Sequence, residues 1–211
     1  GHPDHFLGMS SFIKEKSIQK IIGHEKLSRS LILNFDFYQN QSLESTADDS
    51  LNDAFLVLPN LTVESGKTLK INLGDRPIKI KAWRSGHTDN DLSIYDEKTK
   101  TILTENIFVH RTPSITASVV GWKKTLEEML GMEFEYIIPG HGELKSKEEA
   151  IKPMLNYFNN LITQVRKFHK ESKDLDYAIQ NTLVKNKHDW LLYEEYHPRN
   201  VSKTFTELEW E

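Results

Sequence analysis

The chain has 211 residues with 27 basic and 31 acidic side chains, for a formal net charge of −4. This length suits one domain or slightly more, and the mild acidic balance argues against a nucleic-acid partner. The sequence contains no cysteine, which excludes disulfides and thiolate ligands, and no stretch approaches the ~20 apolar residues that a membrane span needs.

Three potential metal ligands lie within the first five residues. His2, Asp4 and His5 form a short segment with two imidazoles and one carboxylate. Such a set suits zinc, iron or manganese ions. A histidine near a chain terminus is more often solvated than bound to a metal, so this cluster needs support from elsewhere in the sequence.

The following segment predicts two helices. Apolar residues recur at helical spacing over 9–22, and Gly23 follows as a stop signal. A second helix is expected over 25–39 for the same reason. The polar and acidic stretch 41–53 is either a loop or a continuation of that helix, and its composition favours the loop.

From residue 61 the apolar residues alternate with polar ones, which is typical of strands. An antiparallel pair over 68–73 and 78–83 is expected around the turn 74–77, and a hairpin is expected over 92–103. A helix over 118–130, with Gly131 after it, then leads to a strand that ends near Ile138.

Two further histidine loops each follow a predicted strand. Residues 86–88 read Gly-His-Thr and residues 139–142 read Pro-Gly-His-Gly. Glycine permits a tight turn there, and a histidine at a strand end is well placed for function. His110 also follows a strand at the expected rim of the cleft, where a structural role is favoured over contact with substrate.

Beyond residue 142 the sequence is predominantly helical. An amphipathic helix is expected over 147–170, a shorter one over 175–184 and another over 189–196. The aromatic and apolar residues of the tail, from Phe205 to Trp210, are expected to pack against these helices. The sequence is therefore divided into a domain over residues 1–145 and a helical extension over residues 146–211.

The three histidine clusters resemble, in their order, the motifs of the metallo-β-lactamase superfamily. Segments beginning at Arg111, Gly121, Arg199 and Glu207 are similar to the quinoprotein relay system zinc metallohydrolases. This resemblance implies an α/β fold, the αββα sandwich. The sequence would contain mainly the second half of that sandwich, with a C-terminal helical extension and an N-terminal truncation.

The resemblance also implies sites for one or two ions, with zinc expected, iron or manganese as alternatives, and the sites partly or wholly empty. In the family pattern another histidine precedes His2, at a position before Gly1. The implied ligands are His2 and His87 for the first ion and Asp4, His5 and His141 for the second. Asp4 is also the expected catalytic residue.

Asn106 occupies the position where an ungapped alignment with the family places an aspartate that bridges both ions. An amide oxygen is a weaker ligand than a carboxylate. Three alternatives stay open: weak binding by Asn106, replacement by Glu105, or a site with one ion or none. Since neighbouring strand residues point to opposite faces, Glu105 is expected to face away, which favours a damaged or mononuclear site.

The activity implied is hydrolysis of a small-molecule substrate by a metal-bound hydroxide, impaired in this chain. An iron-dependent oxidoreductase and a non-catalytic accessory protein of a quinoprotein system are the alternatives. No nucleic-acid or membrane partner is expected. A homodimer is expected because the sheet would keep an uncovered apolar face and an open edge. The compartment stays open between the periplasm and the cytoplasm of a bacterium.

Overall fold

The computed structural model describes residues 1–13, 18–46 and 48–211. Within them the chain forms seven α-helices and eight strands. Their bounds are α1 (Pro3–Phe6), α2 (Met9–Ile13), β1 (Ile22–His24), α3 (Leu27–Thr46), β2 (Leu61–Val63), β3 (Thr68–Asn72), β4 (Pro77–Ala82), β5 (Leu92–Asp96), β6 (Thr101–Phe108), α4 (Val119–Leu130), β7 (Tyr136–His141), β8 (Lys145–Ser146), α5 (Lys147–Lys170), α6 (Leu175–Asn181) and α7 (Tyr193–Leu208). None of the described helices is long and apolar enough to cross a membrane.

Six strands form one sheet in sequential order from β3 to β8, and β1 pairs with β2 in a separate parallel ribbon. All neighbours in the large sheet are antiparallel except β6 and β7, which are connected through α4. Strands β4, β6 and β7 therefore run in the same direction. Their carboxyl ends meet at one edge of the sheet, which brings together the loops that follow Ala82, Phe108 and His141.

One face of the large sheet is buried under α4 and α5. Ile102 of β6 and Ile137 of β7 are fully buried there, together with Trp122 of α4 and Phe158 of α5. Helix α5 begins with a capping box, in which Ser146 and Glu149 satisfy each other's backbone amides. The same core cluster also includes Leu208 of α7, so residues on both sides of the predicted boundary at 145–146 share one core; the division itself stays a prediction.

The opposite face of the sheet is largely open. Ile94, Leu103 and Ile138 are register partners on neighbouring strands and therefore share this face. Each is about 40% exposed. Around β4 the face is covered, since Ile80 packs in a small cluster with Val63 of β2, and Leu69 of β3 and Leu92 of β5 pack against that cluster.

The helix predicted over 9–22 is wrong in its extent. Helix α2 ends at Ile13, residues 14–17 lie outside the described part of the chain, and Ile22 begins strand β1. This strand is stabilised by pairing with β2, about 40 residues later, and helical periodicity cannot report such a distant partner. The loop favoured for 41–53 is also partly wrong, since α3 continues to Thr46 and a 3₁₀ turn follows over Asp49–Asp53.

The end of the chain also differs from its prediction. A 3₁₀ turn covers Lys187–Asp189, and α7 then runs from Tyr193 through Pro198 to Leu208 instead of ending near residue 196. The tail packs as predicted at Phe205 and Leu208, which contact the main core. Trp210 does not, because its side chain is 87% exposed.

Candidate metal centre

The loop after β4 carries His87 in a tightly bonded turn. The buried carboxylate of Asp91 accepts hydrogen bonds from the Thr88 amide and the Thr88 hydroxyl, and the Gly86 amide donates to Thr88 O. Burial and the nearby charge of Glu105 raise the pKa of Asp91 well above its ordinary value. Asp91 therefore fixes the shape of this loop. Its role was missed in the sequence, where it is one of two similar aspartates in Thr-Asp-Asn-Asp.

His87 faces His2 at the start of the chain. Nε2 of His87 lies 3.1 Å from Nδ1 of His2, and Nδ1 of His87 lies 2.7 Å from the Ser114 carbonyl oxygen. The carbonyl can only accept, so His87 carries its proton on Nδ1 and presents the lone pair of Nε2 to His2. Burial lowers the pKa of His2 to about 4 and that of His87 well below its ordinary value, which keeps both rings neutral.

A second group of donors lies beside this pair. Oδ2 of Asp4 is 3.6 Å from Nε2 of His5 and 3.5 Å from Nε2 of His141. The ligand atoms of these three residues all lie within 4.8 Å of one another. Helix α1 carries Asp4 and His5, and the end of β7 carries His141. Burial lowers the pKa of His141 as well.

The spacing of the donor atoms fits a divalent ion. Two ligands about 2.0–2.2 Å from a tetrahedral zinc lie about 3.3–3.5 Å apart. The separation between the His2 and His87 nitrogens and the separations around Asp4 are close to this range. Neutral imidazoles together with a carboxylate are also a set that zinc, iron and manganese accept. Ligation by His2, Asp4, His5, His87 and His141 stays a prediction, but the structure brings these five residues together.

The orientations of the Glu105 and Asn106 side chains are the reverse of those predicted from the sequence. Oε2 of Glu105 is 3.9 Å from Nε2 of His5, so the carboxylate faces the donor cluster. Asn106 is fully buried on the opposite face, where its Oδ1 accepts a hydrogen bond from the Thr104 hydroxyl. Its Nδ2 has no partner within the described part of the chain. Glu105 is therefore the residue of this pair whose carboxylate lies beside the donor cluster, and ligation by Asn106 stays a prediction.

Residue alternation along β6 explains this result. Asn106 shares the core face with Ile102 and Thr104, whereas Glu105 shares the open face with Leu103. The register with β7 also shifts between Thr104 and Phe108. The sequence of β6 indicates only weakly which of its faces is buried, because apolar residues occur on both faces of this strand.

His110 lies outside the donor cluster, at a neighbouring cleft. It is exposed, has a left-handed backbone with φ of 55°, and lines a cleft of about 720 Å³ together with Phe108, Tyr157 and Trp190. Phe108 joins the two regions, since its ring centroid lies 4.8 Å from that of His141. The predicted position of His110 at the rim of the substrate cleft and its contact with substrate stay predictions.

Comparison with solved structures identifies the fold. Over 98% of its length the chain resembles the inverting sec-alkylsulfatase Pisa1 from Pseudomonas sp., with a TM-score of 0.72 and 12% identity, and it spans 40% of that protein. A metallo-β-lactamase family protein from Thermus thermophilus matches 99% of the chain, with a TM-score of 0.59, 13% identity and 71% of its own length covered. A metallo-β-lactamase from Pontibacter korlensis matches 74% of the chain and 65% of its own length, with a TM-score of 0.51 and 13% identity.

No protein-family model matches the sequence, and neither does any curated protein. The structural matches have low identity and therefore report the fold alone. The chain has an α/β metallo-β-lactamase-like fold with a C-terminal helical extension, as predicted, and it covers parts of larger proteins of that fold.

Proposed function

We propose that this chain is a metal-dependent hydrolase whose centre is formed by His2, Asp4, His5, His87 and His141, with Glu105 beside them. The observation that carries the proposal is the convergence of neutral imidazoles and a carboxylate at the spacing of zinc ligands. Zinc is the expected metal, in one or two positions. Hydrolysis is also the chemistry of the metallo-β-lactamases and the alkylsulfatase that share the fold.

A divalent ion in this centre would supply Lewis acidity and an activated water. The protein's own contribution begins with His2, His87 and His141, whose pKa values burial lowers, so that the rings stay neutral and able to bind a metal. The Asp4 carboxylate lies close to both His5 and His141 and is half exposed, so one of its oxygens could hold an ion while the other accepts a proton.

Part of the reason for the expected impairment of activity was Asn106 as a neutral replacement for a bridging carboxylate. Because Glu105 presents a carboxylate to the same cluster, that reason for weak activity no longer applies. We therefore propose that the centre is competent to bind metal. The resemblance to the quinoprotein relay system subgroup stays a prediction.

The similarity to a sec-alkylsulfatase over nearly the whole chain favours sulfate esters as one substrate class to test. The cleft beside His110 has the volume of a small-molecule site, and aromatic rings line it. A substrate panel should therefore contain secondary alkyl sulfates, carboxylic esters and lactones.

The test is metal analysis of the purified protein followed by assays on that panel. We expect bound zinc and hydrolysis of at least one class, both lost in His141→Ala and retained in His188→Ala, an exposed histidine of the Lys187–Asp189 turn. Iron in place of zinc would favour the oxidoreductase alternative. A folded protein that binds no metal would contradict the proposal and favour the accessory role in a quinoprotein system.

A further inference from the structure

The orientation of His87 depends on the segment between β6 and α4. Nδ1 of His87 bonds to Ser114 O at 2.7 Å, and the His87 carbonyl accepts from the amides of Thr116 and Ala117. Residues 112–118, here called the support segment, therefore form hydrogen bonds with both the ring and the backbone carbonyl of this histidine. The support segment has no regular secondary structure of its own, so something outside it must fix its shape.

Asn200 of α7 holds the support segment on both sides of Ser114. Its Nδ2 donates to Pro113 O at 2.6 Å, and its Oδ1 accepts from the Ile115 amide at 3.0 Å. An amide side chain offers a donor and an acceptor in one planar group. The peptide units that flank Ser114 are thus bonded to a single, almost fully buried side chain.

The amide of Asn200 also takes part in a buried chain of hydrogen bonds. Nδ2 also donates to the Tyr157 hydroxyl at 2.9 Å, Tyr157 contacts Nδ1 of His197 at 2.9 Å, and Nε2 of His197 lies 3.0 Å from Thr182 O. Because Thr182 O can only accept, Nε2 of His197 donates to it and Nδ1 of His197 accepts from the Tyr157 hydroxyl. All donors in this chain therefore point in the same direction. Burial lowers the pKa of His197, so the chain stays uncharged near neutral pH.

We propose that Asn200 is a positioning residue for the metal centre: by fixing Ser114 O, it selects the Nδ1–H tautomer of His87 and leaves Nε2 free to bind an ion. The inference rests on the proposed function only in treating His87 as a ligand. Partners that orient a ligand in this way commonly change metal affinity by about 10–100-fold when they are removed. The C-terminal helix thereby takes part in a site to which it contributes no ligand.

The test compares Asn200→Ala and the isosteric Asn200→Asp with Tyr157→Phe. The control removes a hydroxyl from the same buried chain but keeps both bonds from Asn200 to the support segment. Long-range ¹H–¹⁵N spectra of metal-free protein report the His87 tautomer, and competition with a chromogenic chelator reports zinc affinity. We expect both Asn200 variants to show mixed tautomers and about 10–100-fold weaker zinc binding, and Tyr157→Phe to resemble the wild type.

Wild-type tautomer and affinity in a folded Asn200 variant would overturn the inference. If both variants fail to fold, amide exchange in the wild type decides: Ile115 should be strongly protected, and free exchange there would contradict the contact with Asn200. The tautomer is read without metal. A wild-type protein that keeps the Nδ1–H form but binds no zinc would therefore count against the proposed function and not against the role of Asn200.

Discussion

Glu105 and Asn106 are neighbours on β6, and their different surroundings decide which of them can serve a metal ion. The carboxylate of Glu105 lies near His5 and is partly accessible. The amide of Asn106 is enclosed against the core, bonded to Thr104. A charged ligand on the accessible face has a lower desolvation cost than one introduced into the core.

We predict opposite outcomes for matched changes at these two positions. Glu105→Gln removes the charge with little change in shape and should weaken zinc binding by about tenfold or more. Asn106→Asp should not raise the metal content. It should lower the melting temperature at pH 7, because it places a carboxylate without a cationic partner in the core. Metal analysis, zinc titration and thermal unfolding of both variants check this. A second ion gained by Asn106→Asp would restore the original assignment.

Among the elements, those with strong local signals were predictable from the sequence. Helix α5 begins at Lys147 and ends at Lys170, as its amphipathic stripe predicts. The sequence also singled out His2, His87 and His141, because they lie in short motifs, and their role as metal ligands stays a prediction. Three features were not predictable: the pairing of β1 with β2, the face of β6 that carries Glu105, and the passage of α7 through Pro198. Each depends on packing against distant residues, which local periodicity does not contain.

Helix α4 lies so close to the His87 loop that one position on it tolerates only glycine. A Cβ added at Gly121 would lie 1.9 Å from Ser85 O, next to Gly86 and His87. At the other end of the same helix, a Cβ at Gly131 would meet its nearest neighbour at 3.4 Å, and φ there is −80°. The two glycines thus differ in packing but share one helix.

We therefore predict that Gly121→Ala lowers the free energy of unfolding by about 1–3 kcal/mol, as overpacked positions do. It should also weaken zinc binding, because Ser85 must move and the His87 loop moves with it. Gly131→Ala should change both quantities little. Chemical denaturation and zinc titration provide the measurements. Equal effects of the two substitutions would mean that the close approach of α4 to the loop is not a constraint.

At the scale of the whole molecule, the two faces of the large sheet are in unequal environments. Helices α4 and α5 cover one face at β6 and β7, where Ile102 and Ile137 are fully buried. The other face exposes a continuous row of Ile94, Leu103 and Ile138, and Tyr136 lies on the same face of β7. Contiguous apolar surface of this kind is unfavourable in water and commonly forms an interface.

We predict that the chain forms a symmetric dimer through this row, since a two-fold axis lets one self-complementary patch cover its own copy. Sedimentation velocity over a range of concentrations should show a dimer that dissociates on dilution. Ile94→Lys should shift the protein to the monomer, because burying an unpaired ammonium in the interface is costly. Leu183→Lys is the matched control, since Leu183 is 70% exposed and lies after α6, away from the sheet. A wild-type protein that stays monomeric at all concentrations, or an Ile94→Lys variant that associates as strongly as the wild type, would show that this face is not the interface.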